Sequence, residues 1–273
     1  MPQAFTFHTA QKYFSYTCIM KSKLNTKHIA GIYNYCDRWC ERCAFTSKCS
    51  VFERTGNLDA EQNDISNKAF WDNLSQTFSE TITMLQQEAE KHGIALNLLQ
   101  DEEWEAYKRE KEAGKAAMAK HPLIILSKAY GMQARALFKH TDLFKDKGKE
   151  ITQQVEMGIK NIGDAKAEVF DMDDCLEIVQ WYVFQIQVKF MRALPMMPGE
   201  ENNKHFMRDS NGSAKVALIA VDRCLLAWQK LLQYLTDAED EIISLLALLQ
   251  KIRNIGEETF PQARKFKRKG LDD

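Results

Sequence analysis

The chain has 273 residues, of which 45% are hydrophobic and 27% are charged. These values are typical of globular proteins and exclude a disordered, collagen-like or low-complexity chain. The 37 Lys and Arg residues almost balance the 38 Asp and Glu residues, and the resulting net charge of −1 excludes a global field that would attract nucleic acid or an anionic membrane.

The amino-terminal segment lacks the basic stretch followed by a continuous apolar stretch that marks a secretory signal. No run of about 18 consecutive apolar residues occurs anywhere in the chain. We therefore expect a soluble, cytoplasmic protein that has no membrane partner. Cysteine usage agrees with this expectation, because the seven cysteines are odd in number and four of them lie between residues 36 and 49, unlike the spread pairs of a secreted disulfide framework.

Residues 1–60 differ in composition from the rest of the chain. They contain five of the seven cysteines, and their eight Lys or Arg residues against four Asp or Glu residues give a local charge of +4. The sequence therefore predicts two parts, a cysteine-rich metal-binding module at 1–60 and a helical bundle domain at 61–273.

The first half of the predicted helical domain contains three helical segments. From Ser66 to His92 apolar residues recur every three or four positions, which predicts an amphipathic helix that Gly93 caps. The charged stretch after Asp101 predicts an exposed helix. Pro122 suits the first turn of a more apolar helix that extends to His140.

The second half predicts three long apolar helices. The first begins near Asp174, is apolar almost all round and ends at Pro195, so we expect it to be central and buried on several sides. Ser213 is the predicted N-cap of the second helix, and Thr236 with Glu239 forms a predicted capping box for the third. No alternation typical of β-strands appears. The sequence therefore predicts an all-α fold, most simply an up-and-down bundle with a small amino-terminal four-cysteine module.

The cysteine cluster is the sequence feature with the clearest chemical content. Its spacing is CxxxCxxCx5C, and its members are Cys36, Cys40, Cys43 and Cys49. On a helical backbone the first three would share one face, and the fourth could fold back over them. Crowded thiols favour a bound cation, and sulfur ligands select zinc or an iron–sulfur cluster. The remaining cysteines are not expected in this site; they are Cys18, Cys175 and Cys224.

Zinc and a [4Fe-4S] cluster both remain open as the bound metal centre. Structural zinc sites usually join two CxxC pairs across a dozen or more residues, and this chain has no second pair. A single compact loop is more typical of a [4Fe-4S] cluster, whose neighbours exclude water, and Trp39, Phe45 and Phe52 are suitable neighbours.

Three short segments resemble motifs of known families. The spacing from Cys36 to Cys43 resembles the CxxxCxxC of radical S-adenosylmethionine enzymes, which implies a cluster with one open iron, although the βα alternation of their barrel is absent here. The ten residues Cys40–Cys49 are similar to the cluster loop of endonuclease III-type DNA glycosylases. The segment Ile159–Ala167 resembles a helix-hairpin-helix motif, with Asn161 at the first glycine position, and this resemblance implies contact with a DNA phosphate.

Five polar side chains interrupt the apolar helices and form a candidate ligand pocket: Glu177, Gln185, Lys189, Arg192 and Asp222. Charged groups at apolar positions are rarely unpaired, so we expect Asp222 to pair with Lys189 or Arg192 across the helix interface. Such residues either form inter-helix salt bridges or line a pocket for an anionic ligand.

Three hypotheses of function follow. In the first, the chain is a helical protein whose metal centre has a structural or redox-sensing role and whose partner is an unidentified protein or small molecule. In the second, it is an enzyme that acts on an anionic small molecule in the bundle pocket. In the third, it binds nucleic acid through the hairpin-like loop at 159–167, together with the basic module and the basic tail Arg264–Lys269.

Overall fold

The computed structural model describes residues 27–56, 65–93, 101–197 and 199–272. Within these ranges the protein is helical and contains no β-strand, which confirms the predicted all-α class. Cys18 and the predicted module boundary near residue 60 lie outside the described residues. The α-helices are α1 (Ser50–Gly56), α2 (Lys68–Lys91), α3 (Asp101–Ala119), α4 (Pro122–Phe138), α5 (Thr141–Glu156), α6 (Ile162–Tyr182), α7 (Gln185–Ala193), α8 (Lys204–Tyr234) and α9 (Glu239–Thr259).

Helix α8 is the centre of the core. It packs against α6, α7 and α9, and α9 packs in turn against α4. Its inward side chains include Leu218, Trp228 and Leu231, none of which has exposed surface. Because only residues 235–238 separate α8 from α9, the two packed helices run in opposite directions. Cys175 and Cys224 are buried in this core, as the sequence predicts.

The predicted central helix is longer and is divided in two. It begins at Ile162 rather than near Asp174, because the Asn161 side chain accepts a hydrogen bond from the backbone of Asp164 and caps the helix there. It also ends at Tyr182, and α7 starts at Gln185. The prediction of one continuous helix is therefore wrong. The backbone stays in the right-handed helical region across the junction, so the junction is a loosened turn and not a reversal.

The predicted start of α8 is wrong as well. The helix begins at Lys204, where the Asn203 side chain accepts hydrogen bonds from two backbone N–H groups of the first turn. Ser213, the predicted N-cap, is buried inside the helix. Ser210 and Gly212 are also buried, and the Ser210 hydroxyl donates to the Ala193 carbonyl. These small residues bring neighbouring segments close to α8 and do not end the helix.

Helix α2 has nearly the predicted bounds, with Asn67 as its N-cap. Its apolar stripe predicts packing against the bundle, yet Trp71, Phe78 and Leu85 are more than half exposed among the described residues. Of the helices that the structure describes, none combines the length and the apolarity needed to cross a membrane.

The Asp272 carboxylate connects the segment that follows α9 to helix α8. Asp272 accepts hydrogen bonds from Lys215 at 2.6 Å and from the Arg268 guanidinium at 2.7 Å. Lys215 also donates to the Phe266 carbonyl at 2.5 Å. Burial opposes ionisation of Asp272, but the hydrogen bonds from Arg268 and Lys215 outweigh it and hold the pKa of Asp272 well below its usual range.

Replacing Asp272 with alanine is expected to lower the free energy of unfolding by about 2 kcal/mol at pH 7, because two largely buried cations lose their partner. The folded-state pKa is depressed, so this contribution is complete above the unfolded pKa near 3.8 and decreases as pH falls below it. Urea unfolding at pH 7 and near pH 3 measures the difference. Asp173→Ala, at an exposed position of α6, serves as the control and should change stability by less than about 0.5 kcal/mol. A cost at Asp272 that does not vary with pH would contradict the ion-pair explanation.

Candidate functional site

The described part of the cysteine module consists of short turns followed by α1. Three 3-10 turns cover Ile32–Tyr35, Cys40–Arg42 and Thr46–Lys48. Arg38 has a φ angle of 61°, and among the described residues it is the one non-glycine residue with positive φ. Such an angle cannot continue a helix. The first three cysteines therefore do not lie on one face of a helix. Tight turns bring them to one cavity instead.

All four cysteines of the module contribute to the wall of one small cavity. None of them forms a disulfide, and each is partly buried. The three aromatic residues that the sequence predicts as neighbours line the same cavity; they are Trp39, Phe45 and Phe52. Leu271, from the segment after α9, completes part of the wall. The cysteines and aromatic residues lie between Cys36 and Phe52, whereas Leu271 comes more than 200 residues later in the chain.

Backbone groups contact three of the sulfur atoms. The Phe45 N–H donates to Cys43 Sγ at 3.4 Å, and the Phe52 N–H donates to Cys49 Sγ at 3.5 Å. Cys36 Sγ donates to the Tyr33 carbonyl at 3.5 Å. Hydrogen bonds from protein donors to sulfur also occur at iron–sulfur sites.

The environment of Cys40 favours a protonated thiol when no cation is present. Burial raises the pKa of Cys40, and the nearby Cys36 and Cys43 raise it further because each would repel a second thiolate. In the part of the chain that the structure describes, no group of three or more Cys, His, Asp or Glu side chains is placed so that it could hold a metal ion. The binding of one metal centre by the four cysteines therefore stays a prediction.

Asp37 connects the cysteine module to the helical core. Its carboxylate accepts hydrogen bonds from the Tyr182 hydroxyl at 2.5 Å and from Arg223 at 2.6 Å. Its backbone carbonyl accepts from the Trp181 indole at 3.1 Å and from the Gln185 amide at 3.0 Å. Three of these four donors flank the junction of α6 and α7. The two helices therefore bind the module at the loosened turn between Tyr182 and Gln185.

Aromatic and ionic contacts extend this interface. The Trp39 ring stacks on Trp181 with ring centroids 5.1 Å apart, and the Arg42 guanidinium lies 4.2 Å from the Trp39 centroid. Arg42 also forms ion pairs with Asp174, at 2.6 Å, and with Glu177. Because these ion pairs are substantially exposed, their contribution to stability is modest, and the stacked indoles contribute more.

Three of the five predicted pocket residues contact the cysteine module. Glu177 pairs with Arg42, Gln185 donates to the Asp37 carbonyl, and Lys189 donates to the Cys36 carbonyl at 3.4 Å. Burial lowers the pKa of Lys189. These three side chains therefore make polar contacts between segments of the chain, which is the structural alternative to a ligand pocket.

The other two predicted pocket residues lie in separate ion pairs. Arg192 binds both carboxylate oxygens of Asp209, at 3.0 and 2.6 Å. Asp222 accepts from Arg264 at 2.5 Å and lies 3.4 Å from Arg253. The prediction that Asp222 pairs with Lys189 or Arg192 is wrong, because the segment after α9 supplies a nearer guanidinium.

The hairpin-like loop lies at the opposite end of α6 from the module. It connects α5 to α6, and Ile159 and Ile162 are both exposed. The Asn161 side chain accepts a hydrogen bond from the backbone N–H of Asp164, and the Asp164 side chain adds a negative charge in the first helical turn. Nucleic-acid binding by this loop stays a prediction.

Sequence reasoning missed the residues that hold the module in place. Asp37 and Arg42 lie inside the cysteine motif, for which the sequence analysis considered only the sulfur atoms. Tyr182 and Arg223 lie on two different helices, α6 and α8. One signal was available: an acidic residue and a tryptophan, Asp37 and Trp39, lie between the first two cysteines.

Comparisons of the chain with protein-family models, with curated proteins and with solved structures found no match. The functional interpretation therefore depends on the cysteine cavity and on the residues that fix it to α6 and α7.

Proposed function

We propose that this protein binds a [4Fe-4S] cluster through Cys36, Cys40, Cys43 and Cys49, and that the cluster has a structural and redox-sensing role. The observation that carries the proposal is the shared cavity, to which four unpaired sulfurs contribute beneath aromatic side chains. Soft sulfur ligands favour an iron–sulfur cluster or zinc over harder cations.

The arrangement supports the cluster more than zinc. A tetrahedral zinc ion, with Zn–S distances of about 2.3 Å, requires sulfurs about 3.8 Å apart. A [4Fe-4S] core separates its ligand sulfurs by about 6 Å and fills the space between them. The four cysteines lie in one compact loop that has no second CxxC pair, and all four thiols border one cavity. A larger inorganic centre agrees with both observations.

The contacts of the module support a structural role with a redox response. The backbone carbonyls of Cys36 and Asp37 accept hydrogen bonds from α6 and α7, so order in the cysteine loop is coupled to the core. The cysteines are only partly buried, which leaves a path for small oxidants. Oxidative loss of the cluster would remove the centre around which the loop is ordered, and the loop would release its contacts with the helices.

Changing any one of the four cysteines to serine is expected to abolish cluster binding, because a weak hydroxyl ligand replaces a thiolate. The protein is purified under anaerobic conditions, and iron, acid-labile sulfide and visible absorption are measured. We expect about four iron and four sulfide per chain in the parent protein. We also expect a melting temperature lower by about 5–10 °C in each variant, as metal binding contributes to folding. Cys175→Ala, at a buried cysteine outside the cavity, should keep the cluster.

The possible results separate the alternatives. One zinc per chain without iron would overturn the cluster and leave a four-cysteine zinc site. Metal-free protein that is as stable as the metal-loaded form would overturn both. Equal loss of metal in Cys175→Ala and in the four cavity variants would show that misfolding, rather than ligand loss, explains the result. The enzyme hypothesis gains no support, because its five candidate residues do not meet around one cavity.

A further inference from the structure

An apolar groove lies between three helices, apart from the cysteine module. Its walls come from α3, α4, α7 and Met196, which follows α7. The groove has a volume of about 680 Å³, within the range of about 300–1,000 Å³ for sites that hold one small organic molecule. On α7, Gln185 and Lys189 contact the cysteine module, whereas Gln187 and Met191 line the groove. The groove is therefore a second, separate candidate site.

Most side chains that line the groove are apolar, and four of them are methionines. Met118 and Ile124 are buried. Ile125, Met132 and Met191 are between 37% and 58% exposed, although they line the same groove. Exposed apolar side chains that cluster in this way mark a binding site. Methionine is flexible and polarisable, so it adapts to the shape of an apolar ligand.

One wall of the groove is fixed by contacts with the backbone after α7. Gly114 of α3 lies so close to Met196 that a Cβ atom at Gly114 would overlap the Met196 carbonyl. The Glu200 carboxylate accepts hydrogen bonds from the backbone N–H groups of Met196, at 2.7 Å, and of Met197, at 3.1 Å. The segment that carries Met196 is therefore held against α3, and the groove keeps its shape on this side.

Two lysines give the groove a positive charge. Lys115 of α3 and Lys128 of α4 line it, and both side chains are exposed. Neither lysine forms an ion pair within the part of the chain that the structure describes, unlike Lys108 of α3, which pairs with Glu105. Among the described residues that line the groove, none is acidic. An apolar ligand with an anionic end group therefore complements the groove, because each ammonium group can bind a carboxylate.

The size of the groove favours a slender ligand over a protein helix. An α-helix with its side chains is about 10–12 Å across, so a volume of 680 Å³ accommodates only about one turn. Recognition of an amphipathic helix uses anchor residues that extend over about two turns. A single alkyl chain is narrower, and it needs no hydrogen-bond partners along its length.

We propose that this groove binds a long-chain fatty acid, with the alkyl chain against the methionines and the carboxylate at Lys115 and Lys128. The proposal goes beyond the metal centre and is independent of it, because the two sites share no lining residue. It also differs from the ligand pocket that the sequence predicts, since none of the five residues predicted for that pocket lines the groove.

The test is isothermal titration calorimetry of the full chain with tetradecanoate, at concentrations below those at which it forms micelles. Decanoate should bind at least about tenfold more weakly than tetradecanoate, because four fewer methylene groups are buried. The sign of the charge is tested with two ligands of equal chain length. We expect dodecanoate to bind at least about tenfold more tightly than dodecyltrimethylammonium, which the lysines repel.

A substitution within the groove locates the site. Met132→Glu places a carboxylate among the exposed methionines and should weaken tetradecanoate binding at least about tenfold, through repulsion and loss of apolar contact. Met157→Glu is the matched control, because Met157 is also exposed and lies outside the groove. Melting temperatures of both variants within about 2 °C of the parent establish that folding is intact.

A second pair of variants tests the lysines. Lys115→Gln/Lys128→Gln should bind tetradecanoate about fivefold more weakly than the parent protein, since exposed ion pairs are of modest strength. The control, Lys166→Gln/Lys251→Gln, removes the same charge at exposed helical positions outside the groove and should bind like the parent.

Four results would overturn the proposal. The first two are no binding of tetradecanoate at about 0.1 mM and equal affinity for dodecanoate and dodecyltrimethylammonium. The third is equal weakening by Met132→Glu and Met157→Glu. The fourth is a ligand-free dimer in analytical ultracentrifugation that Met132→Glu dissociates, which would identify a second copy of the chain as the occupant. Binding to phosphatidylglycerol vesicles that Met132→Glu abolishes, without binding of free tetradecanoate, would identify a membrane surface instead.

Discussion

Replacing Asp37 with alanine is expected to lower the free energy of unfolding by about 3 kcal/mol. The carboxylate accepts hydrogen bonds from Tyr182, from Arg223 and from the backbone N–H of Trp39. Tyr182 is fully buried, so its hydroxyl loses an acceptor that water does not easily replace. Arg223 is about half exposed, and its share of the loss is correspondingly smaller.

Urea unfolding of the anaerobically purified protein measures this change, and Asp174→Ala is the matched control. Asp174 also pairs with an arginine of the interface, Arg42, but both partners are about one-third exposed, and we expect a cost below about 1 kcal/mol. Tyr182→Phe should reproduce part of the Asp37 effect, about 1 kcal/mol. If Asp37→Ala cost no more than Asp174→Ala, Asp37 would not be the residue that holds the module to the core.

Replacing Gly212 with alanine is expected to destabilise the protein by about 2 kcal/mol, although alanine is the better helix former. A Cβ atom at Gly212 would lie 2.4 and 2.5 Å from two ring carbons of Tyr35. The ring is rigid and contacts Phe266, so the whole of Tyr35 must move. Tyr35 directly precedes Cys36, so under the proposed metal binding the variant should also bind less metal.

Gly148→Ala provides the comparison, since Gly148 lies within α5 and a Cβ there would meet no atom within 4 Å. Alanine at this position should stabilise the protein by about 0.5–1 kcal/mol through helix propensity. Opposite signs for the two glycine substitutions would confirm that contact with Tyr35, rather than backbone conformation, determines the effect at Gly212. Equal stabilisation in both would contradict close packing of the module on α8.

The sequence predicted those parts of the fold that depend on local signals. The bounds of α2 and α4 follow from caps and apolar spacing, and the structure has them within a few residues. Predictions failed where tertiary contacts override local preference. Ser213 resembles an N-cap in isolation, but α8 begins at the Asn203 cap and continues through Ser213, which is buried in the core.

The candidate site, too, could be predicted where the signal is local and could not where it depends on tertiary contacts. The cysteine spacing was sufficient to indicate that the four thiols lie together, since they are within fourteen residues of one another. The positions of Lys189 and Gln185 suggested a ligand pocket, because a sequence shows that a polar group needs a partner but not which partner meets it. Arg264 was the least predictable, as its contact with Asp222 spans 42 residues and depends on how the chain turns after α9.

The contribution of Leu271 to the cysteine cavity has a consequence for the order of events during biosynthesis. Leu271 follows Cys49 by more than 200 residues, so the ribosome has released the thiols long before it adds the residue that helps to enclose them. At about 5–20 residues per second, this interval lasts between about 10 and 45 s. During that time the nascent chain lacks one part of the wall that later borders the thiols. Reducing conditions during translation therefore protect the thiols at the stage when their cavity is least enclosed.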